Sequence, residues 1–225
     1  MKLLLIRHGD PDYARDALTP KGHAEARLLA EALARVPMDE IYVSPLGRAQ
    51  LTAQYTLQKI GREATTLDWL AELNGNYRGD AWCWSLPPAE VMARPEPYSA
   101  TDWPRQTPYG EHMAEVVRPF YEQFDALMRW HGYAREGFRY RVLRSNAATL
   151  AFFCHGGVIL TLLGHLLQVP IPVAYAQFWV DTASITAIGF DEHEGYAACR
   201  LLVWNDVSHL APLRGPIHAQ PYPAR

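Results

Sequence analysis

The chain has 225 residues, 49% of them hydrophobic and 20% charged, with a formal net charge of -3 at pH 7. This length is enough for a sizeable core in one domain, and the composition excludes global disorder. The charge provides no basic field of the kind nucleic-acid binders use, so any phosphate site must be a local arginine cluster and no nucleic-acid partner is expected.

Residues 2–6 open the chain with the apolar run Leu3-Leu4-Leu5-Ile6, the length of a buried strand. Arg7-His8-Gly9 follows, and the glycine is expected to let the chain turn sharply. Thr19 then reads as a helix N-cap with Pro20 at the first helical position. Ala24, Leu28, Ala32 and Leu33 continue that helix until Pro37 ends it. Glu40–Val43 reads as a second strand. Ser44-Pro45 repeats the cap-then-proline signal and is expected to open a helix through Arg48, Leu51, Tyr55 and Ile60. Strand, helix, strand, helix points to a sheet with right-handed crossovers.

From 81 to 108 the character changes. Prolines 87, 88, 95, 97, 104 and 108 forbid long regular elements, and Trp82, Trp84 and Trp103 are interleaved with them. Such a segment is either a lid over a binding site or an insertion whose tryptophans pack down. Residues 111–130 read as a helix and 133–143 as an irregular hairpin. Residues 148–154 form a strand ending at His155, with a helix over 158–167 behind it. Residues 184–190 and 197–204 read as strands joined by a turn over 191–195, an antiparallel pair placed at a sheet edge. The proline-rich tail after Leu210 is expected to be extended, and no internal repeat is present.

No apolar stretch is long enough to span a membrane, and the N-terminal run is too short for a secretory signal. The three cysteines, Cys83, Cys154 and Cys199, are odd in number and lack metal-ligand spacing. A reduced, cytoplasmic setting without membrane contact is the expectation.

Phe152-Phe153-Cys154-His155-Gly156-Gly157 matches the first His-Gly signal: a second apolar run delivers a histidine to a strand end. In open α/β sheets that edge is where ligands bind. Arg48, near the start of its helix, adds a guanidinium whose planar fork suits phosphate, beside amides at the positive end of a helix dipole. An anion at this rim would meet Arg7, Arg48 and those amides.

The ordered set resembles the histidine phosphatase superfamily, the phosphoglycerate-mutase-like proteins, and specifically their phosphatase-type members. The resemblance covers nearly the whole chain. It rests on Leu4-Leu5-Ile6-Arg7-His8-Gly9, Leu18-Thr19-Pro20-Lys21-Gly22, Ser44-Pro45-Leu46-Gly47-Arg48-Ala49 and Leu70-Ala71-Glu72-Leu73. Gly75, Tyr77 and Gly79, Tyr109-Gly110-Glu111, the His155-Gly156-Gly157 segment and the closing Asn205-Asp206-Val207-Ser208-His209-Leu210 complete it. The resemblance implies a three-layer α/β/α fold with a mixed, mostly parallel sheet. It implies that His8 is a nucleophile and that Arg7, Arg48, His155 and Gly156 bind the phosphoryl group with it. Glu72 would protonate the leaving oxygen and then deprotonate water, with Glu111 next in line for that role.

Ordinary chemistry agrees with these roles. Phosphoryl transfer needs an in-line nucleophile and neutralised equatorial oxygens. A neutral imidazole is available at neutral pH, and arginines supply positive charge without a metal. No metal or other cofactor is expected. The expected activity is hydrolysis of small-molecule phosphate monoesters. A phosphoglycerate-type mutase on the same site, or an idle phospho-ligand or protein-binding module, are the alternatives. Asp10-Pro11-Asp12-Tyr13 departs from the Glu-Ser and Trp-Asn pattern of the mutases, and its two acids would disfavour a polyanion. Trp82, Trp84 and Trp103 hint at an apolar or aromatic leaving group. Arg15, Arg78, Arg94 and Arg105 either meet a second anionic group or, the commoner case, are solvated, and His209 reads as a loop tie. A homodimer is compatible with the sequence.

Overall fold

The apolar run near the N-terminus is apolar on both sides because its strand is covered on both. Leu3 and Leu5 belong to one core cluster, and Leu4 and Ile6 to another, the period-2 alternation of a strand between two layers. This arrangement is seen in a computed structural model, which describes residues 1–73, 83–103 and 110–215.

In chain order the elements are β1 (Lys2–Arg7), β2 (Pro11–Asp12), β3 (Ala17–Leu18), α1 (Pro20–Leu33), β4 (Glu40–Val43), α2 (Gly47–Ile60) and β5 (Thr65–Thr66). After them come α3 (Pro88–Val91), α4 (Gly110–Trp130), β6 (Tyr133–Glu136), β7 (Arg139–Val142), β8 (Thr149–Cys154) and α5 (Gly156–Leu167). The described chain closes with α6 (Ile171–Gln177), β9 (Ile185–His193), β10 (Tyr196–Asp206) and α7 (Ala211–Arg214). Among the described residues eight strands form one mixed sheet in the order β5-β4-β8-β1-β9-β10-β7-β6, and β2 pairs with β3 apart from it. The run β5-β4-β8-β1 is parallel, and the strands from β9 outward pair antiparallel. Leu29 and Leu33 of α1 and Ala49 and Ala53 of α2 pack with Leu4, Ile6 and Val43. Phe120 and Phe124 of α4 and Val158 and Leu162 of α5 pack with Leu3, Leu5 and Phe152. The result is the expected α/β/α layering. Among the described residues no helix is long and apolar enough to cross a membrane.

Thr19 caps α1 as expected, accepting the Gly22 amide at 3.1 Å. Three other local expectations change, and a fourth gains a different reason. Ser44 does not cap α2, which starts at Gly47; the cap is the Asp16 carboxylate, which accepts the Gly47 amide at 2.6 Å. The chain bends at Asp10, just after Gly9, without Gly9 entering the left-handed region. What it provides is room, since a Cβ there would stand 2.8 Å from the Gly22 carbonyl oxygen. The β9–β10 pair is not at an edge: β9 pairs with β1, and β10 is covered by the β6–β7 hairpin. The tail begins as the helical turn α7, where Arg214 pairs with Glu25 and Asp181. Long-range ion pairs of this kind carry no local sequence signal.

Candidate active site

The parallel pairing brings three strand ends to one rim. Arg7 of β1 is level with Cys154 of β8, and Val43 of β4 with Phe153. The next residues are tied across: the His8 amide donates to the Cys154 carbonyl at 3.0 Å and the Ser44 amide to the Phe153 carbonyl at 2.9 Å. His8 and His155 therefore face each other, buried, with ring centroids 5.1 Å apart.

The hydrogen bonds of His8 assign its proton. Nδ1 lies 2.7 Å from the Gly9 carbonyl, so it carries the hydrogen and donates it. Nε2 then presents a lone pair, which accepts from Arg48 Nε at 3.4 Å. Burial, followed by the charge of Arg7, holds the His8 pKa down at about 3, against the opposing Gly9 bond. His155 is held down to about 2 by burial and then by His8 and the two arginines. Its Nε2 is 2.7 Å from the Ser44 hydroxyl, whose oxygen accepts the Leu46 amide.

Two buried donors stand here without a partner: Nε of Arg7 and Nδ1 of His155. Buried polar atoms are nearly always satisfied, and this rim holds two of the six that have no protein partner among the described residues. Other atoms of the two arginines are engaged. Arg7 Nη1 donates to the Val180 carbonyl, and Arg48 Nη1 to Asp16 at 2.6 Å. Asp16 thus holds both the helix start and the arginine. Enclosure raises its pKa, but the Gly47 amide and Arg48 outweigh that and hold it below the usual carboxylate range.

Glu72 lies at the start of α5, where its carboxylate accepts the amides of Gly157 and Val158, each at 3.2 Å. Desolvation raises its pKa, in spite of the Gly157 amide and Arg7. Gly157 is small because Glu72 and Trp84 lie on it: a Cβ there would be 2.7 Å from Glu72 Oε1 and 2.8 Å from the Trp84 ring. A cavity of about 760 Å³ opens over these groups, lined by Arg7, Arg48, Glu72 and Gly156 together with aromatic residues.

The site therefore gathers two strand-end histidines, two arginines and one acid, and comparison with known proteins gives the chain a family. The profile of the Histidine phosphatase superfamily (branch 1) matches residues 3–207. The chain belongs to the histidine phosphatase superfamily. Among its relatives is the adenosylcobalamin/alpha-ribazole phosphatase of Salmonella typhimurium, 28% identical over 219 residues, covering 90% of this chain and 96% of that one. A probable phosphoglycerate mutase of Yersinia enterocolitica is 26% identical over 201 residues, covering 85% and 86%. The fold matches a phosphoserine phosphatase of Entamoeba histolytica with a TM-score of 0.62 at 21% identity, covering 93% of this chain and 98% of the other.

Within this family of phosphatases and mutases, the structure brings Arg7, His8, Arg48, Glu72, His155 and Gly156 to one place. His209 is a loop tie, its Nε2 donating to the Ala183 carbonyl at 3.0 Å. Asp10 and Asp12 are engaged elsewhere, Asp10 by Thr19 and Lys21 and Asp12 by Arg15. Of the acids ahead of α1, the one that meets Arg48 is Asp16. Of the tryptophans, Trp84 lines the cavity, whereas Trp103 is buried in the core. Arg94 pairs with Glu96. Gly75, Tyr77, Arg78, Gly79, Trp82, Arg105 and Tyr109 lie outside the described residues, as does the side chain of Glu111. Sequence reasoning missed Asp16, Tyr13, Phe178, Trp179 and the role of Ser44. Only the acid just ahead of Leu18-Thr19-Pro20 and the aromatic pair Phe178-Trp179 stood out as patterns that could have raised them.

Proposed function

We propose that the protein is a metal-independent phosphomonoesterase that works through a phosphohistidine on His8. The observation that carries this reading is the neutral His8 ring. Its Nδ1 hydrogen is spent on Gly9 and its Nε2 lone pair is turned toward Arg48. An imidazole fixed in this tautomer is a ready nucleophile at neutral pH.

The ester's phosphoryl group binds at this rim, with its oxygens on Arg7 Nε, His155 Nδ1 and Arg48. Arg48 exchanges its contact with the His8 lone pair for a phosphoryl oxygen. Nε2 then attacks phosphorus as the ester P–O bond breaks, and Glu72 gives its proton to the departing oxygen. The raised pKa of Glu72 favours the protonated form this step needs. In the second half Glu72, now a carboxylate, takes a proton from water; the hydroxide attacks phosphorus, and His8 and free phosphate are released. The phosphatase relatives and the family membership support this reading.

The test is to quench the protein after brief incubation with a ³²P-labelled ester. Label should be retained that is acid-labile and base-stable, and it should vanish in His8→Ala. Turnover should be unaffected by EDTA. Label on serine or aspartate, or EDTA-sensitive turnover restored by a divalent cation, would overturn the reading.

A further inference from the structure

The cavity is far larger than a phosphoryl group, and in the size range of pockets that enclose a whole small molecule. Its three charged lining residues, Arg7, Arg48 and Glu72, are all used on the phosphoryl group and the proton in the proposed reaction. The wall left for the rest of the substrate is apolar: Tyr13, Leu46, Trp84, Leu160, Phe178 and Trp179. Among the described residues no further cation lines it.

Two of these aromatics are open to solvent, Tyr13 at 67% and Trp179 at 39% relative exposure. Large apolar rings left uncovered at the mouth of a pocket are surfaces for a ligand to cover. Two others are braced from behind. Trp84 meets Tyr175 edge-on at 6.0 Å between centroids, and Phe178 meets Trp204 edge-on at 5.4 Å. Tyr13 stands over the Arg48 guanidinium at 5.4 Å, which couples the slot to the phosphate end. Braced rings lose little freedom when a flat group packs on them. Meanwhile Asp16, 2.6 Å from Arg48, already offsets part of that arginine's charge, which leaves less of it for a second anionic group on the substrate.

We infer that this slot selects phosphate monoesters with an aromatic or otherwise apolar, uncharged leaving group, and disfavours esters that carry a carboxylate. The inference rests on the phosphomonoesterase reading, and its test separates the two.

Three alkyl esters with comparable leaving oxygens are compared: 2-phenylethyl phosphate, ethyl phosphate and 3-phosphoglycerate. The phenylethyl ester should exceed both others in kcat/KM by about 10- to 100-fold, the effect of covering one aromatic ring. Trp179→Ala and Tyr13→Ala, both at exposed positions that tolerate truncation, should each compress that ratio. Equal or better turnover of 3-phosphoglycerate, or a ratio unmoved by both variants, would overturn the inference. The same three esters are titrated calorimetrically into His8→Ala, which reads the slot without turnover. If wild-type protein releases phosphate from none of them, the proposed function falls; a preference for the phenylethyl ester in Kd still supports the slot, and equal Kd values overturn it.

Discussion

The two ends of the cavity are built in opposite ways. The phosphate end stands on the C-terminal ends of β1, β4 and β8, with His8 and His155 buried and the His8 and Ser44 amides tied across the strands. The leaving-group end is made of aromatic side chains from separate connections: Tyr13 beyond β2, Trp84 between β5 and α3, and Phe178 and Trp179 beyond α6. The rim of a sheet can hold atoms to the tolerance that phosphoryl transfer demands. Loops supply contact area that can change without disturbing that rim. Changes at the first end should therefore act on every ester alike, and changes at the second should reorder the esters.

The largest effect is expected from Arg48→Ala. It removes a positive charge from the phosphoryl oxygens and leaves Asp16 unbalanced, so kcat/KM should fall by about 10²–10³-fold. Measured across the three esters above, the loss should be uniform. A loss confined to one ester would dissolve the division between the two ends.

Glu72→Gln sits at the junction and should sharpen the division. A nitrophenolate leaves without a proton, whereas an alkoxide needs one, so alkyl phosphates should lose about 10²-fold or more in phosphoenzyme formation while p-nitrophenyl phosphate loses much less. The pH dependence follows from the signs of the shifts. His8 is neutral throughout the range above about pH 3, so it imposes no acid limb near neutrality. Glu72, its pKa raised by desolvation, must keep its proton, so alkyl-ester turnover should decline as pH rises through that value. The decline should be missing in Glu72→Gln. Equal losses for both ester types would move the proton-donor role elsewhere, first to Glu111.

A smaller effect is expected from Ser44→Ala. With the Leu46 amide donated to Ser44 Oγ, the hydroxyl hydrogen is available to His155 Nε2, which places the ring hydrogen on Nδ1, facing the site. Without Ser44 both tautomers become accessible, and kcat/KM should drop by about tenfold, the worth of one neutral hydrogen bond. Ring ¹⁵N resonances of His155 should show the Nδ1–H form in the wild type and a mixture in the variant. An unchanged tautomer would leave Ser44 with a packing role only.

How much of this was legible in the chain varies by residue. Arg7-His8-Gly9 and His155-Gly156-Gly157 could be placed because an apolar run followed by glycine marks a strand end, and strand ends of a parallel sheet share a rim. Thr19-Pro20 showed a helix start for equally local reasons. The same signal at Ser44-Pro45 misled, because the cap of α2 comes from Asp16, a side chain delivered by the loop before α1. The β9–β10 pair was legible as a hairpin but not in its position, since which strand lies beside it is settled by β1 and β7.

By itself, then, the sequence determined what depends on near neighbours: the strands and their apolar faces, the α1 cap, and the placing of Arg7, His8 and His155 at strand ends. The tertiary structure alone decided the partnerships. Asp16 meets Arg48 across 32 residues of chain, Ser44 meets His155 across 111, and four aromatic residues from three connections converge on one slot. Periodicity and capping are short-range and leave a mark on the local pattern, whereas a long-range contact depends on how whole elements pack, and no residue pattern at either end records it.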